Sequence, residues 1–284
     1  MTQPKWFPSP VKLNLFLHVT GKRADGYHFL QTIFQFLDYG DEIGFEITDS
    51  GVIERIDQNR FELPDIDLCI RAAELLKAQC QNTNLGARIH LKKVVPPGTG
   101  LGAGSSNAAT VLLVLNTLWN LKLSTKDLIK LGTILGADVP VFLHGQATWA
   151  EGIGDQFTDC TPATNWVCVA LPKTTVSTAD AFADLTLRPD RPLVNWEDFL
   201  NDRTGNDLEE NVCRLFPDIA HALTLLKSFG NARMSGTGSA VFVCVNSEAT
   251  AREALNSLPP SLSGFIAPSQ NHSSLHQAIA ALKT

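Results

Sequence analysis

The sequence predicts an α+β fold in two domains. Segments with the alternation of a β-strand and segments with the spacing of an α-helix follow one another without a fixed period, which is typical of this class. The chain has 284 residues, 44% of them hydrophobic and 18% charged, so it is long enough for two medium-sized cores and too weakly charged for a disordered protein. We place the domain boundary near 151–162, which gives domains of residues 1–155 and 156–284.

The first predicted element is a β-strand near the N-terminus. The segment "VKLNLFLHV" alternates strictly, so Leu13, Leu15 and Leu17 fall on one face and Lys12 and Asn14 on the other. A lysine and an asparagine two residues apart therefore point to the same side, as the wall of a binding site requires.

Strands and helices follow in mixed order through the rest of the first half. "FLQTIFQFLDYGDEIGFEIT" predicts one strand or two, closed by a turn at Gly40-Asp41. "DLCIRAAELLKAQC" predicts a helix and "ARIHLKKVV" a strand. A buried helix is expected over 106–120, and another begins at the cap residue Ser124 and ends at Gly136.

The second half repeats this mixture. "ATWAEGIGDQF" and "WVCVALP" predict strands, "TADAFADL" predicts a helix, and residues 188–211 form a polar loop. "NVCRLFPDIAHALTLLKSFG" predicts one helix, and "ARMSGTGSAVFVCV" a glycine turn that leads into a strand. The amphipathic segment "SSLHQAIAALK" predicts a closing helix.

Charge and hydropathy exclude two classes of partner. The net charge of −6 offers no basic face for nucleic acid, so a small molecule is the expected ligand. The N-terminal segment "MTQPKWFPSP" lacks the pattern of a secretion signal, and no run of eighteen apolar residues suggests a membrane span. We expect a cytoplasmic protein that is a monomer or a weak homodimer.

The cysteines and histidines do not predict a metal site. None of the six cysteines forms a CxxC pair, and their apolar or helical surroundings suit reduced thiols. His272 and His276 have the spacing of helix-borne ligands, but no glutamate follows the first and no third ligand lies nearby.

The segment "PPGTGLGAGSSN" carries the strongest chemical signal. It lacks the lysine of a P-loop. Gly98, Gly100 and Ala103 match the dinucleotide pattern, but two prolines stand at the mouth of the loop and no acidic residue follows about twenty positions on. A protein-kinase glycine loop lies in a hairpin, whereas a helix follows here.

The general property that these patterns share still holds for this segment. Glycines let the backbone approach an anion closely, and the N–H groups at the start of a helix point towards it. We therefore predict phosphate binding, against the alternative of a tight connection between a strand and a helix.

The same segment, extended to "PPGTGLGAGSSNAA", resembles the central motif of the GHMP kinases. "KLNLFLHVTGKRADGYHFLQTIF", "GADVPVFLHG" and "RMSGTGSAVFV" extend the resemblance over nearly the whole chain, towards members with a cytidine-diphosphate-linked substrate. The resemblance implies an N-terminal ATP-binding domain like domain 2 of ribosomal protein S5 and a C-terminal ferredoxin-like substrate domain. It also implies a kinase of small molecules that uses ATP with Mg²⁺, whose ligands stay unassigned.

The resemblance assigns Lys12 and Asp138 to catalysis, with Asp138 as the general base that takes a proton from the substrate's hydroxyl and Lys12 assisting it. By pattern alone, Lys12 is an exposed strand lysine and Asp138 a turn or cap residue. Two alternatives are another GHMP kinase, such as a homoserine kinase, and a nucleotide sensor that would lack Lys12 or Asp138.

The resemblance also implies the binding residues. Those for ATP are Asp67, Lys93, Pro96, Pro97, Gly98, Thr99, Gly100, Leu101, Gly102, Ala103, Gly104, Ser105, Ser106 and Asn107. Those for the substrate are Asn14, Tyr27, His28, Thr178 and Phe182, although Phe182 by spacing alone is a core residue of its helix.

Three positions within this pattern need comment. Asp67 stands where asparagine is usual in the family, and Ala103 where glycine is usual. Alanine keeps the backbone accessible if its φ is negative. A second glycine turn, residues 236–238, is either the floor of the site or simply a tight turn.

Overall fold

A computed structural model describes residues 3–24, 26, 28–57, 61, 63, 67–80, 82, 84–183 and 192–282. Within these ranges the strands are β1 Lys5–Lys22, β2 His28–Thr48, β3 Ile53–Asp57, β4 Gly86–Lys92, β5 Thr148–Glu151, β6 Gln156–Asp159, β7 Trp166–Leu171, β8 Arg233–Met234, β9 Val241–Val245 and β10 Ser263–Gln270. The α-helices are α1 Leu68–Lys77, α2 Ala103–Leu118, α3 Thr125–Leu135, α4 Val139–His144, α5 Thr178–Ala183, α6 Trp196–Leu200, α7 Glu209–Leu215, α8 Pro217–Leu226, α9 Glu248–Asn256 and α10 Ser274–Ala280.

One mixed sheet connects the two halves of the chain. Its main path runs β3-β4-β2-β10-β7-β9-β8, while β1 and β5 also pair with β2, and β6 pairs with β5. Only the β3–β4 pair is parallel; the other described pairs are antiparallel. This sheet with its helices confirms the α+β class. The boundary between residues 155 and 156 stays a prediction.

Three buried clusters hold the sheet and helices together. One lies between α1–α4 and the sheet of the first half, and a second involves α7 and α8 in the second half. The third joins Val11 and Leu13 of β1 to Val167 and Val169 of β7. Because the clusters enclose β1 from both halves, the strand that carries Lys12 is fixed on both of its faces.

The strict alternation predicted for β1 is wrong after Asn14. The pairing with β2 shifts by one residue, since Asn14 faces Phe34 but Leu17 faces Thr32. This β-bulge adds one residue to β1 and reverses the side to which later side chains point. Leu17 consequently lines the same cavity as Asn14 instead of lying with Leu15.

The turn predicted at Gly40-Asp41 is also wrong, because β2 continues through both residues. A Cβ atom at Gly40 would lie 2.1 Å from the carbonyl oxygen of Ser9, so the two strands approach too closely for any side chain. Glycine here serves a close strand contact, and Asp41 is buried.

Two helix predictions need correction and one is confirmed. The single helix predicted over 211–230 is broken, because Pro217 starts α8 and keeps Phe216 out of the helical conformation. Helix α2 begins at Ala103, three residues earlier than predicted. Ser124 caps α3 as predicted, accepting a hydrogen bond from the Asp127 N–H. Among the described helices, none has the length and apolar character needed to cross a bilayer.

The cysteines are free thiols, and the described part of the chain contains no group of three His, Cys, Asp or Glu side chains placed to hold a metal. Burial raises the pKa of the Cys160 thiol to about 11 and of Cys168 to about 12. His276, one of the two histidines with the spacing of metal ligands, has its Nε2 atom 3.0 Å from the carbonyl oxygen of Phe142.

Candidate active site

Two cavities contain most of the predicted site residues. The first cavity, with a volume of about 290 Å³, contains both catalytic candidates and three of the five predicted substrate residues. It lies where β1, the glycine loop before α2, the start of α4 and helix α5 meet. Its lining residues are Lys12, Asn14, Leu17, Leu30, Phe34, Gly100, Ser105, Ala137, Asp138, Ile153, Gly154, Thr178, Phe182, Gly236 and Thr237.

Lys12 is the most constrained side chain of the first cavity. Its Nζ atom lies 2.6 Å from Asn14 Oδ1, 3.0 Å from the Gly100 carbonyl oxygen and 3.2 Å from Asp138 Oδ2. The three hydrogens of an ammonium group thus have three acceptors. The Phe34 ring lies beneath it, with its centroid 5.3 Å from Nζ. At 2% exposure, Lys12 is not the exposed strand lysine that pattern alone indicated.

Asp138 occupies the N-cap position of α4, but its carboxylate makes no capping hydrogen bond. Pro140 lies in the first turn of this helix, where its missing N–H needs no cap. The Asp138 side chain is 37% exposed, compared with 3% for its partner Lys12. One carboxylate therefore faces both a buried cation and the open space of the first cavity, as a proton acceptor requires.

The glycine loop before α2 adopts a conformation that other residues rarely accept. Gly98, Gly100 and Gly102 have φ angles of 71°, 73° and 70°. Ala103 is instead the first residue of α2 and is absent from the positive-φ residues, so alanine fits there. No side chain caps α2, so its first N–H groups stay available to an anion.

The second glycine turn contacts the first one directly. A Cβ atom at Gly100 would lie 2.3 Å from the Ser235 carbonyl oxygen, and one at Gly236 would lie 3.1 Å from Asn14 Oδ1. Gly236 also lines the first cavity. Residues 236–238 form a tight turn, and Gly236 and Thr237 of this turn line the first cavity; its role as the floor of a binding site stays a prediction.

A second cavity of about 310 Å³ also borders the glycine loop and is lined by six of the predicted ATP residues, Asp67, Lys93, Pro97, Gly98, Gly104 and Asn107. Its lining residues are Leu63, Asp67, Leu68, Cys69, Arg71, Leu91, Lys93, Pro97, Gly98, Gly104 and Asn107. Asp67 is already engaged there. Its Oδ1 accepts the backbone N–H groups of Cys69 and Ile70, and its Oδ2 lies 3.0 Å from Arg55 Nη1.

Two predicted ATP residues, Lys93 and Asn107, use their side chains in a buried network around Asp41. Asp41 accepts hydrogen bonds from Lys93 Nζ at 2.7 Å, Asn107 Nδ2 at 3.0 Å, and the backbone N–H groups of Val94 and Val95. Because Asp41 contacts residues on both sides of the glycine loop, it fixes the two ends of that loop. Its place in "GDE" indicated only a turn, so this role was missed.

The remaining loop residues contribute mainly to its structure. Ser106 is buried and donates to the Pro10 carbonyl oxygen at 2.6 Å, while the Leu101 carbonyl accepts the Lys12 N–H at 3.0 Å. Thr99 donates to the Pro96 carbonyl oxygen at 3.3 Å. The loop is thereby attached to β1 at several points.

Of the predicted substrate residues, Thr178 and Phe182 line the first cavity, and His28 stacks on Phe182; we call this region the nucleobase end. The rings of His28 and Phe182 stack with centroids 4.6 Å apart and an angle of 18° between their planes. Phe182 lines the cavity with Thr178 and also packs against the core cluster of the second half. Burial, and then Lys22, lower the pKa of His28. Tyr27 lies outside the described residues.

Comparisons with known proteins agree over most of the chain. The family described as GHMP kinases N terminal domain matches residues 67–146, and GHMP kinases C terminal matches residues 185–262. A relative from Pasteurella multocida, named 4-diphosphocytidyl-2-C-methyl-D-erythritol kinase, is 45% identical over 282 residues, covering 98% of this chain and 94% of the relative. A relative of the same name from Marinobacter nauticus is 45% identical, covering 97% and 98%.

A solved structure extends the likeness to three dimensions. A crystal structure of 4-(cytidine 5'-diphospho)-2C-methyl-D-erythritol kinase is similar with a TM-score of 0.81 and 30% sequence identity. The likeness covers 93% of this chain and 99% of that one. Sequence and structure comparisons therefore point to the same family.

Proposed function

The chain belongs to the GHMP kinase family, and we propose that this small-molecule kinase transfers the γ-phosphoryl group of ATP to the 2-hydroxyl of 4-diphosphocytidyl-2-C-methyl-D-erythritol. The reaction belongs to the methylerythritol phosphate route to isoprenoid precursors. The observation that carries the proposal is the Lys12–Asp138 pair at 3.2 Å, in a cavity bounded by both glycine turns.

Asp138 acts as the general base. Transfer to an alcohol requires that the attacking oxygen be oriented and lose its proton as the new bond forms. The Asp138 carboxylate makes no capping hydrogen bond and is partly exposed to the first cavity, so an acceptor hydroxyl can reach it. The proton of the 2-hydroxyl passes to this carboxylate.

Lys12 stabilises the charge that develops on the oxygens around the transferring group. Its ammonium is held by Asn14 and the Gly100 carbonyl, so the positive charge is in place before substrates bind. Of its three contacts, the one to Asp138 is the longest. This contact is the one that an incoming anionic oxygen can replace.

ATP fits the glycine loop and the start of α2. The uncapped helix terminus and the backbone of residues 98–102 would hold the phosphates, and the second cavity would hold the adenine. Asp67 can accept a hydrogen bond from the adenine amino group but cannot donate one. Its carboxylate also serves Arg55 and the cap of α1.

Mg²⁺, when bound, neutralises charge on the ATP phosphates. In other phosphoryl-transfer sites such ions are held by substrate phosphates together with a Ser/Thr hydroxyl or a carboxylate. The hydroxyl side chains of Ser105 and Thr237, which line the first cavity, are the groups that would hold it beside the phosphates.

The cytidine is held at the His28–Phe182 end. A pyrimidine ring can stack on an aromatic face at this end, while Thr178 offers a hydroxyl partner beside it. This arrangement favours a cytidine-bearing substrate over homoserine, which has no ring to stack.

The direct test is a phosphotransfer assay. The protein is incubated with Mg-ATP and, separately, 4-diphosphocytidyl-2-C-methyl-D-erythritol, homoserine or mevalonate, and phosphomonoester formation is followed by ³¹P NMR. We expect a product only with the cytidine substrate. Product from homoserine or mevalonate but not from the cytidine substrate would contradict the proposed substrate. No product from any of the three would favour a nucleotide sensor.

A further inference from the structure

We infer that Thr32 is a positioning residue that orients Lys12 through Asn14, an inference that rests on the proposed function because it assigns Lys12 to phosphoryl transfer. Thr32 lies on β2, is fully buried and does not line the first cavity. Asn14 Nδ2 donates to Thr32 Oγ1 at 3.0 Å, and Lys12 Nζ donates to Asn14 Oδ1 at 2.6 Å. Thr32 Oγ1 in turn donates to the Phe16 carbonyl oxygen.

Chemistry alone fixes the direction of this hydrogen-bonded chain. A lysine ammonium can only donate, so Asn14 must turn its amide oxygen towards Lys12 and its NH₂ towards Thr32. The Phe16 carbonyl can only accept, so the Thr32 hydroxyl must direct its hydrogen there and offer its oxygen to Asn14. Both ends therefore impose the same orientation on the Asn14 amide.

The β-bulge in β1 supplies the last acceptor in this series of hydrogen bonds, the Phe16 carbonyl oxygen. Asn14 pairs with Phe34 and Leu17 with Thr32, so the extra residue lies between them. A bulge leaves one residue outside the regular ladder, and here the Phe16 carbonyl oxygen meets the Thr32 side chain. The bulge that brings Leu17 into the first cavity thus also supplies the acceptor that orders Thr32.

The consequence concerns the position of the Lys12 charge. Asn14 Oδ1 is the nearest of the three acceptors around Lys12 Nζ, so rotation of that amide would put an NH₂ group against the ammonium. Thr32 prevents this rotation, because its oxygen is the partner of the Asn14 NH₂ group. Without Thr32, the ammonium should lose its fixed position, while the glycine loop and the His28–Phe182 stack, which do not contact Thr32 among the described interactions, stay in place.

Two substitutions at Thr32 test the inference. Thr32→Val keeps the shape but removes the hydroxyl, and we expect kcat to fall about tenfold, a loss similar to that seen when a partner that orients a metal ligand is removed. KM for ATP and for the cytidine substrate should change less than about twofold, because neither contacts Thr32. Thr32→Ser restores the hydroxyl and should return kcat close to its original value.

Thr148→Val is the matched control. Thr148 is also a fully buried strand threonine, and its Oγ1 donates to the Thr158 carbonyl oxygen at 3.0 Å, with no hydrogen bond to Asn14 among the described interactions. We expect its kcat to stay unchanged. Native kcat in Thr32→Val, an equal loss in Thr32→Ser, or an equal loss in Thr148→Val would each overturn the inference.

A measurement without catalysis separates this inference from the proposed function. The Asn14 side-chain amide is identified in ¹H–¹⁵N spectra by its absence in Asn14→Asp, and its hydrogen exchange is followed. Exchange should be slow in the original protein and in Thr32→Ser, and faster in Thr32→Val. If the original protein transfers no phosphoryl group, the proposed function fails, whereas equal exchange in all three proteins overturns the hydrogen-bonded chain itself.

Discussion

The two ends of the first cavity are built differently. At the end proposed for phosphoryl transfer, the Lys12 ammonium is buried and has three acceptors within 3.2 Å, supplied by β1, the glycine loop and the start of α4. At the end proposed for the nucleobase, His28 and Phe182 are held against each other by one ring stack. Phosphoryl transfer needs charges in fixed positions, whereas stacking tolerates small displacements of either ring.

This difference predicts the largest loss at the transfer end. Asp138→Asn keeps the size of the side chain but removes the proton acceptor, so we expect kcat to fall by about 10²–10⁴-fold. ATP affinity should stay nearly unchanged. Steady-state kinetics and nucleotide titration by calorimetry measure the two quantities separately.

Asp127→Asn provides the control for this loss. Asp127 also pairs with a lysine, at 2.8 Å from Lys130 Nζ, but on the exposed surface of α3. Its substitution should leave kcat unchanged. Near-normal turnover in Asp138→Asn would remove Asp138 from its proposed role and make the two ends of the cavity equivalent.

The contact between the two glycine turns predicts the next largest effect. A Cβ atom at Gly100 would lie 2.3 Å from a backbone oxygen, at a φ of +73° that alanine rarely adopts. We expect Gly100→Ala to lower the free energy of unfolding by about 3 kcal/mol, measured by equilibrium unfolding in urea.

Gly104 makes a matched control within the same motif. Its added Cβ would meet only Leu68 Cδ1 at an ordinary 3.6 Å, and it lies inside α2. Gly104→Ala should therefore stabilise the protein by about 0.5–1 kcal/mol, since alanine favours helices. Changes of the same sign in both variants would show that the backbone conformation of Gly100 does not decide its tolerance.

At the nucleobase end, we expect a smaller effect that falls on binding. Phe182→Leu keeps an apolar side chain but removes the stacking ring, so KM for the cytidine substrate should rise about tenfold. The value of kcat should change little, because Phe182 makes no contact with Lys12 or Asp138 among the described interactions. Phe199→Leu, on an aromatic cluster outside the cavity lining, should leave both constants unchanged. A fall in kcat with KM unchanged in Phe182→Leu would contradict the proposal that this end of the cavity serves substrate binding and the other end catalysis.

The sequence predicted the local parts of this site better than their connections. The i, i+2 spacing correctly predicted that Lys12 and Asn14 share a side, because no β-bulge lies between them. The position of Leu17 was predicted wrongly, because a bulge depends on pairing with a distant strand. No sequence pattern pointed to Thr32, because its role depends on the pairing of β2 with the bulged part of β1.

Asp41 shows the same limit in a different form. Aspartate after glycine is typical of a turn, and only the folded chain brings Lys93 and Asn107 to its carboxylate. The resemblance to GHMP kinases named Lys93 and Asn107 as ATP residues, but it could not reveal that their side chains join in this buried network. Local patterns predict elements, while buried polar networks depend on tertiary pairing.

The smallest predicted effect concerns the pH dependence of the nucleobase end. Burial, followed by the charge of Lys22, lowers the pKa of His28 below 6.5, so the folded protein takes up this proton at lower pH than the unfolded chain does. The contribution of His28 to stability is thus complete above pH 6.5 and is lost as pH falls from there through the lowered pKa. Urea unfolding from pH 7.5 to 5 should show a steeper loss in the original protein than in His28→Gln. Protonation also places a charge within the ring stack, so KM for the cytidine substrate should rise over the same interval only while His28 is present. Parallel curves for both proteins would show that His28 does not report on this end of the cavity.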